Sequence, residues 1–209
     1  MTRINVPPTR SNLIRIKQEL EFVREGYEIL NRKREVLTSE LIQLAHDAGV
    51  IQEEMYRKQK AAYAALEKAR LTMGRERVEW AAMATSKTVE VQLRSRGIMG
   101  VAVPQIQAAG EPPELSYSPD DTNAAMDEAS VAFREVLKIV PELSRLVTSV
   151  WRLAGELRKT QRRVNALQHI FIPQYEETVA FIVSTLEERD REDTFRLKLL
   201  KTHSSSKDN

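Results

Sequence analysis

From Leu13 the apolar residues recur in steps of three and four: Leu13, Ile16, Leu20, Val23, Tyr27 and Leu30, then Leu37, Leu41, Leu44, Ala48, Ile51 and Met55. Alternating steps of three and four form the a/d heptad, whose 3.5-residue period winds a helix left-handedly around a partner. A surface helix of a globular domain carries a wider stripe and seldom sustains it this long. The pattern therefore predicts a long helix from Pro8 to about Ala84, with Thr9 as its N-cap. Arg34 interrupts the seam between Leu30 and Leu37, as a snorkelling stem or else as a register pin or a contact to another subunit. Beyond Met55 the seam shrinks to Ala62, Ala65 and Ala69, which bury less area. Gly49 and Gly74 each cost about 1 kcal/mol of helix propensity relative to alanine. Gly74 is the better candidate for a break, with the helix ending between Met73 and Ser86.

A second seam occupies the C-terminal part of the chain. It runs through Leu143, Leu146, Val150, Leu153, Leu157, Val164, Leu167, Phe171, Tyr175, Val179, Ile182 and Leu186. Pro141 either kinks a continuous helix or begins a new one. Trp151, beside the seam, is expected to pack. Between Leu167 and Val179 the steps become four, four and four, which departs from the heptad and locally unwinds the supercoil. Pro173 sits at that fault and is the candidate bend. After Leu186, Glu187 with Arg191 and Glu192 with Arg196 form helix-spaced ion pairs.

Between the two helices the period changes. Val89, Val91 and Leu93 alternate with polar residues, as do Val101 and Val103 after Gly97 and Gly100. Two alternating runs around glycines predict a β-hairpin with a turn longer than two residues; an irregular loop is the alternative. An isolated hairpin is marginal in water and needs bracing. Its exposed edges are natural sites for strand addition. Pro104 to Thr122 holds four of the eight prolines and reads as a loop. Residues 118–121, Ser-Pro-Asp-Asp, carry helix-start signals.

The expected fold is all-α, a long antiparallel two-helix coiled coil of the N- and C-terminal helices with a short β-hairpin and loop inserted. Along the chain this gives an arm and long helix (1–84), a hairpin and Pro-rich loop (85–122), a C-terminal coiled-coil helix (123–201) with kinks near 141 and 173, and a disordered tail (202–209). Composition agrees: 30% of the 209 residues are charged, 6% are aromatic and seven are glycine. Such a chain favours elongated helices with a narrow seam over a compact core. The net charge of +2 does not by itself point to nucleic acid. Without cysteine, disulfides and cysteine-ligated metals are excluded, and three scattered histidines form no zinc pattern. The N-terminus lacks an apolar signal core, and no run reaches the roughly 18 apolar residues of a membrane span. A cytosolic protein, or one at the cytosolic side of a larger assembly, is expected.

No nucleophile elbow, Walker loop or metal-ligand cluster supports catalysis. Arg158, Lys159, Arg162 and Arg163 form the densest basic cluster. Four positive charges within two turns could bind phosphate, but no aromatic residues interleave them, so an acidic protein surface is the favoured partner.

The run Lys159-Thr160-Gln161-Arg162-Arg163-Val164-Asn165-Ala166-Leu167, followed by Ile172-Pro173, resembles the signature of the D subunit of V-type and archaeal-type rotary ATPases. The charged run from Arg189 to Lys201 is similar to the same family. So are Asn5, Val6, Pro8, Thr9, Arg10 and Leu13 at the start, Lys33-Arg34 before Leu37, and Ile98-Met99 with Val103-Pro104. Gln161, Gln168, Asn31 and Glu35 depart from the pattern and carry no inherited role. The resemblance implies a central rotor shaft without catalytic residues or cofactor. It implies as partners a catalytic hexamer of A and B subunits, an F subunit on the shaft's side, and a socket subunit on the membrane ring. The place would be the cytoplasmic face of a membrane, without direct insertion and without nucleic acid. Under that reading Arg158, Lys159, Arg162 and Arg163 bear on the hexamer and Pro173 bends the axle. Val89, Val91, Ile98, Met99, Val101 and Val103 make a hairpin that shapes the F-binding site or regulates. A stand-alone coiled-coil scaffold and a nucleic-acid-binding helical arm are the competing classes.

Overall fold

The computed structural model describes residues 3–84, 90–109, 117 and 122–205. Helix α1 (Arg10–Met73) and helix α2 (Arg75–Ala84) precede strands β1 (Glu90–Ile98) and β2 (Val101–Ala109). Helix α3 (Ala124–Ala166) then leads through a π-helical turn (Leu167–Phe171) into helix α4 (Ile172–Ser205). Two long terminal helical stretches with a small antiparallel hairpin between them are thus present. Val89, residues 118–121 and residues 206–209 lie outside the described residues. Two compact units are formed, the described parts of Met1–Glu35 with Arg158–Asn209, and Val36–Leu157.

In the first unit the start of α1 runs antiparallel to α4. Arg10 meets Asp190 at 3.1 Å and Arg24 meets Glu176 at 2.5 Å, while Ile16, Leu20, Val164 and Ile182 are buried. These ion pairs are exposed, so their worth is a few tenths of a kcal/mol to about 1; the buried seam holds the helices together. Thr9 is the N-cap as expected, its Oγ1 accepting the Asn12 N–H at 3.2 Å. The segment before it doubles back along α4. The Ile4 N–H donates to Thr178 Oγ1 at 3.1 Å, Arg3 lies 3.9 Å above the Phe181 ring, and Arg189 donates to the Pro8 carbonyl at 3.2 Å. This explains a burial that hydrophobic pattern alone misses: Thr178 is 1% exposed because the arm covers it and bonds its hydroxyl. Both helix-spaced pairs of the charged run form, Glu187 with Arg191 at 3.8 Å and Glu192 with Arg196 at 3.7 Å. The helix continues to Ser205, four residues past 201, where it was expected to give way to a disordered tail.

In the second unit α1 and α3 are antiparallel, with Lys58 to Glu135 at 3.5 Å and Lys68 to Glu128 at 2.7 Å. The alanine seam is real, with Ala62 and Ala69 fully buried. Gly74 breaks the helix, adopting φ +84°, a left-handed conformation that only glycine takes without strain. α2 then folds Val78 and Ala81 onto Ala69, Ala125 and Met126. Asn123 caps α3 by accepting the Met126 N–H at 3.2 Å, and its amide donates to Thr72 Oγ1 at 3.0 Å. Pro141 lies inside a continuous α3, which settles the alternative left open by the pattern. Trp151 does not pack as expected: it is 75% exposed, because Leu153 and Leu146 take the seam and turn it outward.

Tyr117 packs against the cluster below Gly74 and donates to Asp127 Oδ1 at 2.7 Å. Burial, and then the bond to Asp127, push its hydroxyl up to about 12. An acid whose folded pKa exceeds its unfolded value stabilises the fold below the unfolded value, about pH 10, and loses that contribution as pH rises through the folded one. Tyr117→Phe is therefore expected to cost about 1 kcal/mol at neutral pH. It should also flatten the fall in urea midpoint above pH 10 relative to the parent chain. A parallel fall in both proteins would contradict this.

The hairpin corrects the sequence reading in two places. Its turn is the two residues Met99 and Gly100, with φ of 48° and 80°, and Ile98 pairs with Val101. Two positive φ values make the primed turn that matches strand twist. Met99 was not an obvious occupant, since non-glycine residues seldom go there. Gly97 sits within β1, opposite Ala102. Pro104, read as the start of a loop, lies within β2 opposite Ser95. A proline is tolerated at an edge position that points its nitrogen away from the ladder.

Candidate functional site

Arg158, Lys159, Arg162 and Arg163 are all exposed on the last turns of α3. At about 100° per residue, Arg158 stacks under Arg162 and Lys159 under Arg163, giving one basic face. Thr160 and Val164, 2% and 0% exposed, occupy the opposite side. The sequence order R-K-T-x-R-R-V thus becomes a cationic surface backed by a buried seam. Arg158, Arg162 and Arg163 engage no carboxylate among the described residues, so their charge is available to a partner. Ile170 and Phe171, 58% and 44% exposed, stand just beyond this face on the π turn. Phe171 was expected in the seam and is the one position of that seam which the turn rotates toward solvent.

The π turn accounts for the departure from the heptad. Val164 to Val179 is fifteen residues, one more than two heptads. In a π turn the N–H bonds five residues back, and here Ile172 N–H reaches the Leu167 carbonyl. Each such turn absorbs about one extra residue, so Val179, Ile182 and Leu186 regain the face that Val164 left. Pro173 follows in the first turn of α4, where its missing N–H is least costly. Tyr175, half-buried just after, has its hydroxyl pKa raised by burial and then by Glu19 on α1.

The third surface is the hairpin. Ile98, Val101 and Val103 pack with Leu37, Leu41, Leu44, Leu153 and Leu157. The opposite side leaves Leu93 71% and Val91 48% exposed, and Met99 stands half-exposed at the tip. Hence the hairpin residues singled out from sequence divide into two groups, Ile98, Val101 and Val103 anchoring it and Val91 and Met99 presented outward. Sequence reasoning missed Arg152, whose guanidinium bonds the Ala102 carbonyl at 2.7 Å and ties β2 to α3. Only its position one turn from the seam hinted at that role.

Among the described residues no group of histidine, aspartate and glutamate side chains could hold a metal ion, and no helix is long and apolar enough to cross a membrane. The arrangement offers contact surfaces, a basic face, a π turn and an exposed ribbon, on a helical scaffold.

A family model described as the D subunit of ATP synthase matches residues 12–202. The chain is similar to the V-type ATP synthase D subunit of Thermotoga neapolitana, 42% identical over 95% of this chain and 98% of that one. It is 41% identical to a V-type ATP synthase D subunit of Treponema pallidum, over 93% of each. With the A-type ATP synthase D subunit of Methanopyrus kandleri the identity is 38%, over 94% of this chain and 86% of that one.

Proposed function

The chain belongs to the ATP synthase D-subunit family, and from that premise we propose that it is the central rotor shaft of a V-type or A-type rotary ATPase. Its role is to couple ATP hydrolysis or synthesis in a catalytic hexamer of A and B subunits to rotation of a membrane ring that moves protons or sodium ions. The observation that carries the reading is the antiparallel pairing of the chain's two ends, Arg10 with Asp190 and Arg24 with Glu176, over a narrow buried seam. A shaft that turns inside a hexamer needs a stiff apolar seam and an outer face that slides. Exposed charge contacts are individually weak, about 0.2–1 kcal/mol, so they give shallow wells rather than a locked position.

In this role the basic face of Arg158, Lys159, Arg162 and Arg163 bears on acidic groups of the hexamer. The π turn and Pro173 set a bend, so that each catalytic subunit meets a different side of the turning axle. Beyond Asp190, α4 carries exposed Phe195, Leu197 and Leu200 among its charged residues, apolar side chains suited to the interior of the hexamer. The F subunit binds the shaft's side, with the hairpin shaping that site or regulating ATPase activity. A socket subunit on the ring receives the other end.

The test is reconstitution with A, B and F subunits. One copy of the chain per hexamer and ATP-driven rotation are expected; a free homodimer without effect on ATPase activity would overturn the reading. In the same assembly, replacing the four basic residues by alanine should cut torque or coupling several-fold, with helix content unchanged, since four contacts of the above size are lost together. Unchanged rotation and ATPase rates would remove the basic face from the mechanism.

A further inference from the structure

The two edges of the hairpin are not alike. A two-residue turn makes Ile98 and Val101 a hydrogen-bonded pair, and the bonded pairs then recur in twos at Arg96 with Val103 and Arg94 with Gln105. The intervening residues turn their N–H and C=O groups outward. On β2 the two outward positions nearest the turn are blocked: the Ala102 carbonyl is taken by Arg152 at 2.7 Å, and Pro104 has no N–H to offer. On β1 they are Val91, Leu93, Ser95 and Gly97, without proline, and every residue from 91 to 97 is exposed. No hydrogen bond among the described residues reaches those outward groups. Proteins normally block such an edge, and one left open and long is a template for another strand.

We propose that the outer edge of β1 takes up an extended segment of another subunit as a third strand, with alternating apolar and acidic side chains. Two features of β1 select that chemistry. One face of the strand carries Leu93 and Val91, 71% and 48% exposed, which call for apolar neighbours on the same face of an added strand. The other face carries Arg94 and Arg96, both exposed and neither in an ion pair among the described residues, which call for carboxylates. The backbone supplies the affinity and these alternating neighbours supply the selectivity. A third strand also answers the weakness of a two-stranded ribbon, which is marginal by itself. On this view the anchoring of Val103 to Leu37 and Leu153 holds the edge in place to be read.

The inference rests on the reading of the hairpin as a partner surface of the assembled ATPase. Hydrogen exchange at single-residue resolution, on the free chain and on the chain within the complex, tests it. The amides of Val91, Leu93, Ser95 and Gly97 should slow at least tenfold on assembly, while those of Arg94 and Arg96, already bonded to β2, change little. Ser95→Pro deletes one outward N–H and leaves the bonds to β2 intact, as Pro104 does on the other strand. It should abolish the alternating protection, and Ser95→Ala should preserve it. Assembly with uniform protection along β1, or with none, overturns strand addition and leaves the shaft reading standing. Failure of the chain to enter the complex overturns both.

Discussion

Leu37→Ala is expected to lower the free energy of unfolding by about 3 kcal/mol, read from the urea midpoint of the helical signal with an unchanged slope. Leu37 and Leu153 are both fully buried and meet Val103, itself 5% exposed, in a cluster that belongs at once to the helix pair and to the hairpin. Truncating Leu37 leaves a cavity that a seam only one side chain wide cannot refill from a second layer. The loss therefore falls near the middle of the range for leucine truncation. It should also reach β1 and β2, because Val103 loses a neighbour and an unbraced ribbon does not persist. Faster amide exchange throughout the hairpin is thus the second readout. Leu71→Ala is the control. Leu71 is 82% exposed, and its replacement should change stability by less than about 0.5 kcal/mol. If Leu37→Ala leaves hairpin exchange untouched, the hairpin draws its stability from elsewhere.

Most of the seam was legible because heptad spacing has few other causes. Each of the predicted α1 positions from Leu13 to Met55 is buried or half-buried, with Ile16, Leu20, Leu37 and Ala48 buried. Gly74 was legible for a similar reason, a glycine beside a shrinking seam. What pattern could not convey was polar burial. Ser149 and Thr160 are 2% exposed and Thr178 1%, since a hydroxyl can satisfy itself on the preceding turn, as Ser149 does on the Arg145 carbonyl and Thr178 on that of Gln174. The turn at Met99 and the strand position of Pro104 were misplaced because each depends on hairpin register, which local propensity does not specify. Trp151 was misjudged since a large apolar side chain one step from a seam has equal claim to either side. The basic face was visible as a cluster, yet its orientation opposite Thr160 and Val164 needed the seam to be drawn first.

Adding and removing one residue at the π turn should have very unequal effects. Val179, Ile182 and Leu186 share a face with Val164 only because the turn absorbs a fifteenth residue. An alanine inserted after His169 adds a sixteenth. A second residue has no turn to absorb it, so α4 is rotated by about 100° and its seam leaves α1. Ile182, fully buried, and the half-buried Val179 and Leu186 would be displaced together. At about 1.5–3 kcal/mol for full burial of one such side chain, the insertion should cost roughly 3–5 kcal/mol. It should also break the Arg24–Glu176 pair and the bond from Ile4 to Thr178. Deleting Gln168, which is exposed, instead restores two whole heptads between Val164 and the valine now fourteen residues on. The π turn becomes α-helical, the seam keeps its face, and the cost should stay below about 1 kcal/mol. Urea unfolding of the two variants measures the asymmetry. Equal costs would mean that the turn follows from Pro173 alone and not from the extra residue. On the rotor-shaft role proposed above, the deletion also isolates the turn's contribution to function: if the turn sets a bend, the stable deletion variant should assemble with the hexamer and yet turn with reduced torque.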